Sequence, residues 1–334
     1  MRSDFTISAL AVAAVQVGAQ DSSNTIVGCV ELGCPSSNQD TVNDNCTIAD
    51  TGSFPLVGAT QVPSTEQSLS GLSWVKGFNL SDSHGNYTFH NSFYLGASPD
   101  LKLNASTGGC AVFLNGPSSS LTFGTNDTND DTSQGTCNDA MGSSCVDAIV
   151  KRAQAQITDY YGTSGQKPSN SEACAMLQKD LQSSVESECE RIAQGVWSDF
   201  TGVALTGDDA PEPISQQQKS SSACWPVTSK EDSLMLVSEY HSTAADFVEN
   251  AEKAQWAITP ILTVFYPVDN GSVTTEVDAS LSCVKVMGPA KASLDTMSNG
   301  TDDTGGAYAL SSSFSLVSAA LYMVIAALFM SYVV

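Results

Sequence analysis

Positive charge is scarce in this chain. Thirteen Lys and Arg stand against 36 Asp and Glu, a net charge of −23. Gripping the nucleic-acid backbone takes many Lys and Arg contacts, so nucleic acid is excluded as a partner. Attraction to anionic lipid head groups falls for the same reason. The acidity reads as a solvated surface. Histidine is nearly missing, with only His84, His90 and His241. There is no Cys-x-x-Cys pair, so a Cys/His metal finger lacks its ligand spacing and no metal site is expected. The chain has no Gly-x-Ser-x-Gly elbow, no His-Glu-x-x-His and no Gly-rich phosphate loop, so no cofactor is expected. Asp127, Asn129 and Asp131 begin like a calcium loop. Thr132 then stands where the turn needs Gly, and Asn138 where a bidentate Glu belongs.

Cysteine, by contrast, is plentiful: Cys29, Cys34, Cys46, Cys110, Cys137, Cys145, Cys174, Cys189, Cys224 and Cys283. An even count of ten behind a secretory leader reads as a disulfide framework. The leader is residues 1–19. Arg2 lies in a short polar start, residues 5–18 are largely apolar, and Val17-Gly18-Ala19 offers small side chains for cleavage after Ala19. Seven Asn-x-Ser/Thr sequons are candidate glycan sites: Asn45, Asn79, Asn86, Asn104, Asn126, Asn270 and Asn299. Residues 314–334 are uncharged and apolar, and no Lys or Arg lies between them and Lys291. A membrane span normally carries cytoplasmic Lys or Arg. The pattern instead fits a removable glycosylphosphatidylinositol (GPI) attachment signal, with Gly305, Gly300 or Asp303 as the lipid-bearing residue. A tail anchor that keeps its apolar segment is the rival reading.

The first half alternates like β-structure. Tyr87, Phe89, Phe93 and Leu95 share one parity, while Thr88, His90, Ser92 and Tyr94 share the other. Residues 72–78, 100–104, 111–114 and 121–123 are further strand candidates. Asn86 and Asn104 fall on the polar parity of their strands, as the bulk of a glycan requires. The middle is helical: Cys145, Ile149, Ala153, Ile157 and Tyr160 keep helical spacing, with Ser144 and Asp147 as a capping pair. A second helix opens on the capping box Ser169/Glu172. Its apolar stripe runs through Cys174, Leu177, Leu181, Val185, Cys189, Ile192 and Val196. The two helices should pack antiparallel across a short turn, which places Cys145 opposite Cys189 and predicts a bridge between them. Residues 199–232 read as a linker around Cys224-Trp225-Pro226. Strands at 234–237, 261–266 and 281–286 and a helix from about Thr243 to Gln255, capped by Asp246, complete the reading.

The expected class is α+β: an antiparallel sandwich-like first half, a helical hairpin and a smaller α+β part, stapled by disulfides. The segments are 1–19 (leader), 20–135 (β-rich), 136–198 (hairpin), 199–287 (linker plus α+β), 288–305 (polar stalk) and 306–334 (lipid signal). Glycosidases need paired carboxylates across a cleft, and acidic residues are too common here to single out a pair; Asp180, Glu186 and Glu190 read as solvent-facing charges. His90 reads as solvent-facing rather than as a general base. His84 falls in a turn and His241 at the start of a helix. Tyr94, on the outward parity, and Trp74 are the candidate sugar-stacking aromatics.

Residues 93–101 (FYLGASPDL), 108–114 (GGCAVFL) and the strands before the polar stalk resemble GPI-anchored surface glycoproteins of filamentous fungi. That resemblance carries no activity and no catalytic residue. The termini, cysteines and sequons together lead to the expectation of a non-enzymatic glycoprotein on the outer leaflet of the plasma membrane, structural or adhesive, with cell-wall polysaccharide as a weakly bound partner. The alternative is a wall-remodelling enzyme using paired carboxylates.

Overall fold

Long alternating or continuous apolar runs make the strands, and two stacked antiparallel sheets organise the fold. The computed structural model describes residues 26–29, 31–34, 46–83, 86–101, 103, 106–124, 133–163, 169–227, 230, 232–244 and 253–288. The chain divides into two units, Met1–Ala290 and Lys291–Val334, and every described residue belongs to the first. The leader, residues 289–305 of the stalk with the lipid candidates Gly300, Asp303 and Gly305, and the 127–131 loop lie outside the described residues.

The first sheet has the order β1 (Val27–Gly28), β4 (Leu56–Gln61), β5 (Ser73–Ser83), β6 (Asn86–Ala97) and β9 (Ser233–Ala244). The second runs β11 (Asp278–Val284), β10 (Thr259–Pro267), β7 (Thr107–Leu114) and β8 (Phe200–Ala204). A two-stranded ribbon, β2 (Cys46–Ile48) with β3 (Gly52–Phe54), pairs with neither sheet. All pairings are antiparallel. The α+β class with antiparallel sheets and bridged cysteines is as expected. The segmentation is not: β9 pairs with β6, and β8 and β10 flank β7. The sandwich therefore draws on both halves of the chain. Residues 199–232, read as a linker, supply β8 and the short helix α6 (Gln216–Ser220).

Three apolar clusters define the layers. Between the sheets, Trp74, Phe93 and Leu95 meet Ala111, Phe113, Ile261 and Phe265. The far face of the second sheet, including Val112, Leu262 and Leu281, is covered by helices α2 (Cys137–Met141), α3 (Ser143–Thr163) and α4 (Asn170–Ser183) through Ile149, Ala153, Leu177 and Leu181. With both faces covered, β7 and β10 read as unbroken apolar runs, not alternating ones. The far face of the first sheet is covered as well. There Val57, Val75 and Tyr94 pack against Ile48, Phe54 and a group of cysteines.

That third cluster overturns the outward placement of Tyr94. The period-two pattern is right, because Phe89, Phe93 and Leu95 are buried on one face. The other face is roofed by the ribbon. Gly77 makes the roof possible: a Cβ there would sit 2.7 Å from Cγ of Phe54, so only glycine leaves room for that ring. Phe54 then meets Tyr94 edge-on, with ring centroids 6.1 Å apart. The Tyr94 hydroxyl is 2.8 Å from the Thr51 hydroxyl.

Other local readings also shift. Residues 98–101 turn rather than extend, and Leu101 and Leu103 rest half-buried on the inter-sheet core. Leu121 and Phe123 are buried without strand pairing. Gly142, with φ 88°, separates α2 from α3, and the capping box in this region is Thr136/Asp139 on α2 rather than Ser144/Asp147. The Ser169/Glu172 box on α4 is present. The stripe that follows it is broken, however. α4 stops at Ser183, Ser184 is extended, and a 3₁₀ turn (Ser187–Cys189) leads into α5 (Glu190–Ala193). Val185 is exposed. Thr243, expected to open a helix, lies in β9, and residues 245–252 lie outside the described residues.

Candidate functional site

The strands of the two sheets differ in length. β6 and β9 have 12 residues each and β7 has 8. At about 3.4 Å per residue, the longer strands exceed the shorter ones by roughly 14 Å. Between the sheets lies a cavity of about 800 Å³. Lys76 from β5, Phe89 and Asn91 from β6 and Tyr240 from β9 form one wall; Asn115 on the short helix α1 (Asn115–Ser118) and residues 253–259 form the other.

Lys76 is the unusual residue. It sits on the inward parity between Trp74 and Phe78 and is 1 % exposed. Its Nζ donates to the Ala257 carbonyl at 2.7 Å and to Thr259 Oγ1 at 3.3 Å. The Phe93 ring centroid is 5.8 Å away. Among the described residues no carboxylate pairs with this ammonium. Burial, helped by the nearby Lys285 charge, lowers its pKa from the ordinary 10.5 to about 7. Asn91 also stands on the inward parity, 7 % exposed, and its Oδ1 has no hydrogen-bond partner. A buried acceptor left unsatisfied costs on the order of 1–3 kcal/mol, so a donor from outside the chain would relieve it. Among the described residues no Asp or Glu lines the cavity itself, and the Asp199 carboxylate is hydrogen-bonded to the lining Tyr240.

Trp74 and Tyr94, proposed as sugar-stacking aromatics, are both fully buried and reach no ligand. Trp74 donates its indole N–H to Thr263 Oγ1 at 2.9 Å and meets Phe113 edge-on.

The cysteines separate into pairs and a cluster. Cys110–Cys174, Cys137–Cys283 and Cys145–Cys189 are bridged, with Cα separations of 5.5, 5.0 and 4.8 Å. The last is the bridge that the helical spacing predicts. Cys224, however, lies at bonding distance from both Cys34 and Cys46, with Cα separations of 4.8 and 5.1 Å. A sulfur makes one disulfide, so these are alternative partners. Their three sulfur atoms fall within 4.8 Å of one another. That grouping would also suit a thiophilic cation, but Cα separations near 5 Å are those of disulfides. Cys29, expected to be bridged, is a buried free thiol whose pKa is raised by burial.

His90 and His241 meet across β6 and β9, with Nδ1 to Nδ1 at 2.9 Å. Ser81 Oγ lies 2.8 Å from His90 Nε2. His241 therefore belongs to a strand rather than a helix start, and His84 lies outside the described residues. Of the sequons, Asn86 and Asn270 are exposed. Asn79 is half-buried and accepts the Leu80 N–H at 2.7 Å. Asn45, Asn104, Asn126 and Asn299 lie outside the described residues.

The cleft residues carried a signal in the sequence. Lys76 and Asn91 each interrupt an otherwise apolar parity, Trp74–Phe78 and Phe89–Phe93. The histidine pair and the cysteine cluster carried none, because they depend on pairing residues 151 and 190 positions apart.

Among the described residues, no helix is long and apolar enough to cross a membrane. No protein-family model matches the chain, and no curated protein or solved structure matches it either.

Proposed function

We propose that the chain is an extracellular glycoprotein of structural or adhesive role, held on the outer leaflet of the plasma membrane by a GPI lipid and facing cell-wall polysaccharide. The observation that carries this reading is the placement of the cystines. Cys110–Cys174 ties β7 to α4, Cys137–Cys283 ties α2 to β11, and Cys145–Cys189 ties α3 to the turn after α4. The outer helical layer is thus covalently stapled to the sheet beneath it, which supports an oxidising compartment. Exposed Asn86 and Asn270 leave room for glycans. A wall-remodelling glycosidase would need two carboxylates facing a cleft. Among the described residues the lining of this cleft offers none, which supports the non-enzymatic reading.

The test is peptide mapping without reduction on protein from a eukaryotic secretory host, together with release from cells by a phosphatidylinositol-specific phospholipase. Bridged Cys110–Cys174, Cys137–Cys283 and Cys145–Cys189 peptides, glycosylated Asn86 and phospholipase release are expected. Free thiols at these six positions, or full retention on the membrane after the lipase, would overturn the reading.

A further inference from the structure

The inter-sheet cleft gathers features that nothing in the scaffold requires. A lysine buried without a carboxylate partner weakens the fold, because the ammonium loses its hydration. Its ammonium has three donors, and the Ala257 carbonyl and Thr259 hydroxyl occupy two. One N–H remains for an acceptor from outside the chain. Asn91, on the neighbouring strand and lining the same cavity, has the opposite need: its Oδ1 lacks a donor. A ligand that answers both carries an anionic or strongly polar acceptor together with a hydroxyl donor.

The rest of the lining narrows the class. Ser118, Ser242 and Thr243 add hydroxyl groups, and Phe89 and Tyr240 add flat apolar faces. Lys253 brings a second cation to the lining. In a chain of net charge −23, Lys76 gives the cavity an ammonium with no carboxylate partner among the described residues, which favours an anionic group on the ligand. Its volume of about 800 Å³ accommodates one or two sugar rings. A compact inorganic anion would leave Asn91 and the aromatic faces unused, and a neutral sugar would leave the Lys76 ammonium unanswered.

We propose that this cleft binds a sugar acid, its carboxylate on Lys76 and a ring hydroxyl donating to Asn91 Oδ1. The assignment deepens the proposed surface role by naming the carbohydrate that would be bound: acidic units rather than neutral hexose. Lys76 and Asn91 act as binding residues and no bond is made or broken. Carboxylate binding favours the charged amine, so affinity should fall as pH rises through about 7.

Titration calorimetry on the secreted full-length protein tests this, with D-glucuronate, D-glucose and inorganic phosphate as separate probes. Glucuronate should bind, and glucose and phosphate should each bind about tenfold more weakly or worse. Lys76→Met should abolish the glucuronate heat, and Asn91→Leu should weaken it by about tenfold. Melting curves establish that both variants fold, and Asn91→Leu reads the site alone should Lys76→Met not fold. Equal binding of phosphate or glucose would overturn the sugar-acid assignment, as would unchanged affinity in either variant or no heat with glucuronate. If glucuronate fails while the cystine map stands, the ligand assignment falls and the surface role does not.

Discussion

His90 and His241 face each other across β6 and β9 with their Nδ1 atoms 2.9 Å apart, so one imidazole must be neutral to accept the other's proton. Partial burial and then the charge of His241 push the His90 pKa below 6.5, and Glu239 opposes them. A lowered native value means the unfolded chain takes up protons first as pH falls. Stability from the pair is therefore full above about 6.5 and is lost as pH drops through the native value. The site is largely open to solvent, which keeps the effect below about 1 kcal/mol. Melting temperatures compared between about pH 8 and pH 5 should fall less in His241→Gln than in the parent. An identical slope in the two proteins would dismiss the coupling.

Lys76 titrates in the same sense for a different reason. Its pKa falls from 10.5 to about 7 because burial penalises the ammonium. The penalty is complete below about 7 and fades as pH rises toward 10.5. Lys76→Met should thus stabilise the unliganded protein at neutral pH, on the order of 1–3 kcal/mol, and the gain should shrink toward about pH 10. Denaturant melts at the two pH values measure it. A variant less stable than the parent at neutral pH would show that Lys76 supports the fold instead of straining it.

Phe54 over Gly77 predicts a non-additive pair. Gly77→Ala places a methyl 2.7 Å from Cγ of the ring and should cost about 1–3 kcal/mol. Phe54→Ala alone uncovers Tyr94 and should cost about 3 kcal/mol or more. The double variant should lose less than the sum, since the clash disappears with the ring. Additive losses in urea melts would separate the two residues.

Arg152 ends α4. Its guanidinium pairs with Asp180 Oδ2 at 2.7 Å and with Glu186 Oε1 at 3.2 Å, and it donates to the carbonyls of Asp180 and Ser184. Arg152→Leu strips these last-turn carbonyls of a donor and should destabilise by about 1–3 kcal/mol. Hydrogen exchange should accelerate in residues 180–189 ahead of the rest. Uniform protection would refute that role for Arg152.

Removing the Cys145–Cys189 bridge with paired alanines reopens a loop of 44 residues. The chain-entropy relation puts the loss at up to about 4 kcal/mol. A melting temperature unchanged by the double substitution would contradict it.

Much of this architecture was legible from periodicity, and the misreadings share a cause. Strands such as β6 and β10 declare themselves because their neighbours repeat locally. The Ser169/Glu172 box marks the start of α4 for the same reason. The end of α4 was hidden, because what stops it is Arg152, a residue 28 positions away from Asp180. The Cys145–Cys189 bridge was nonetheless predicted, since the 3₁₀ turn keeps Cys189 on the side facing α3. Tyr94 misled because alternation marks two faces but does not say that both are covered; the cover comes from Phe54, 40 positions upstream by number. The β8 strand was lost in a polar stretch, where only Phe200 and Ala204 of its five residues are buried. Lys76 and Asn91 were visible as breaks in apolar parity, but the cavity they line also needs Asn115, Ala257 and Thr259, which are distant in sequence.

The strand order β6-β9 in one sheet and β10-β7-β8 in the other also sets a timetable. As the polypeptide is synthesised, the edge of β6 waits for about 140 further residues before its neighbour emerges. Until then the nascent chain displays an unpaired, aromatic-rich ribbon edge. Chaperones would meet this protein half-made, so its yield should respond to their supply more sharply than that of a protein whose domains close one after another.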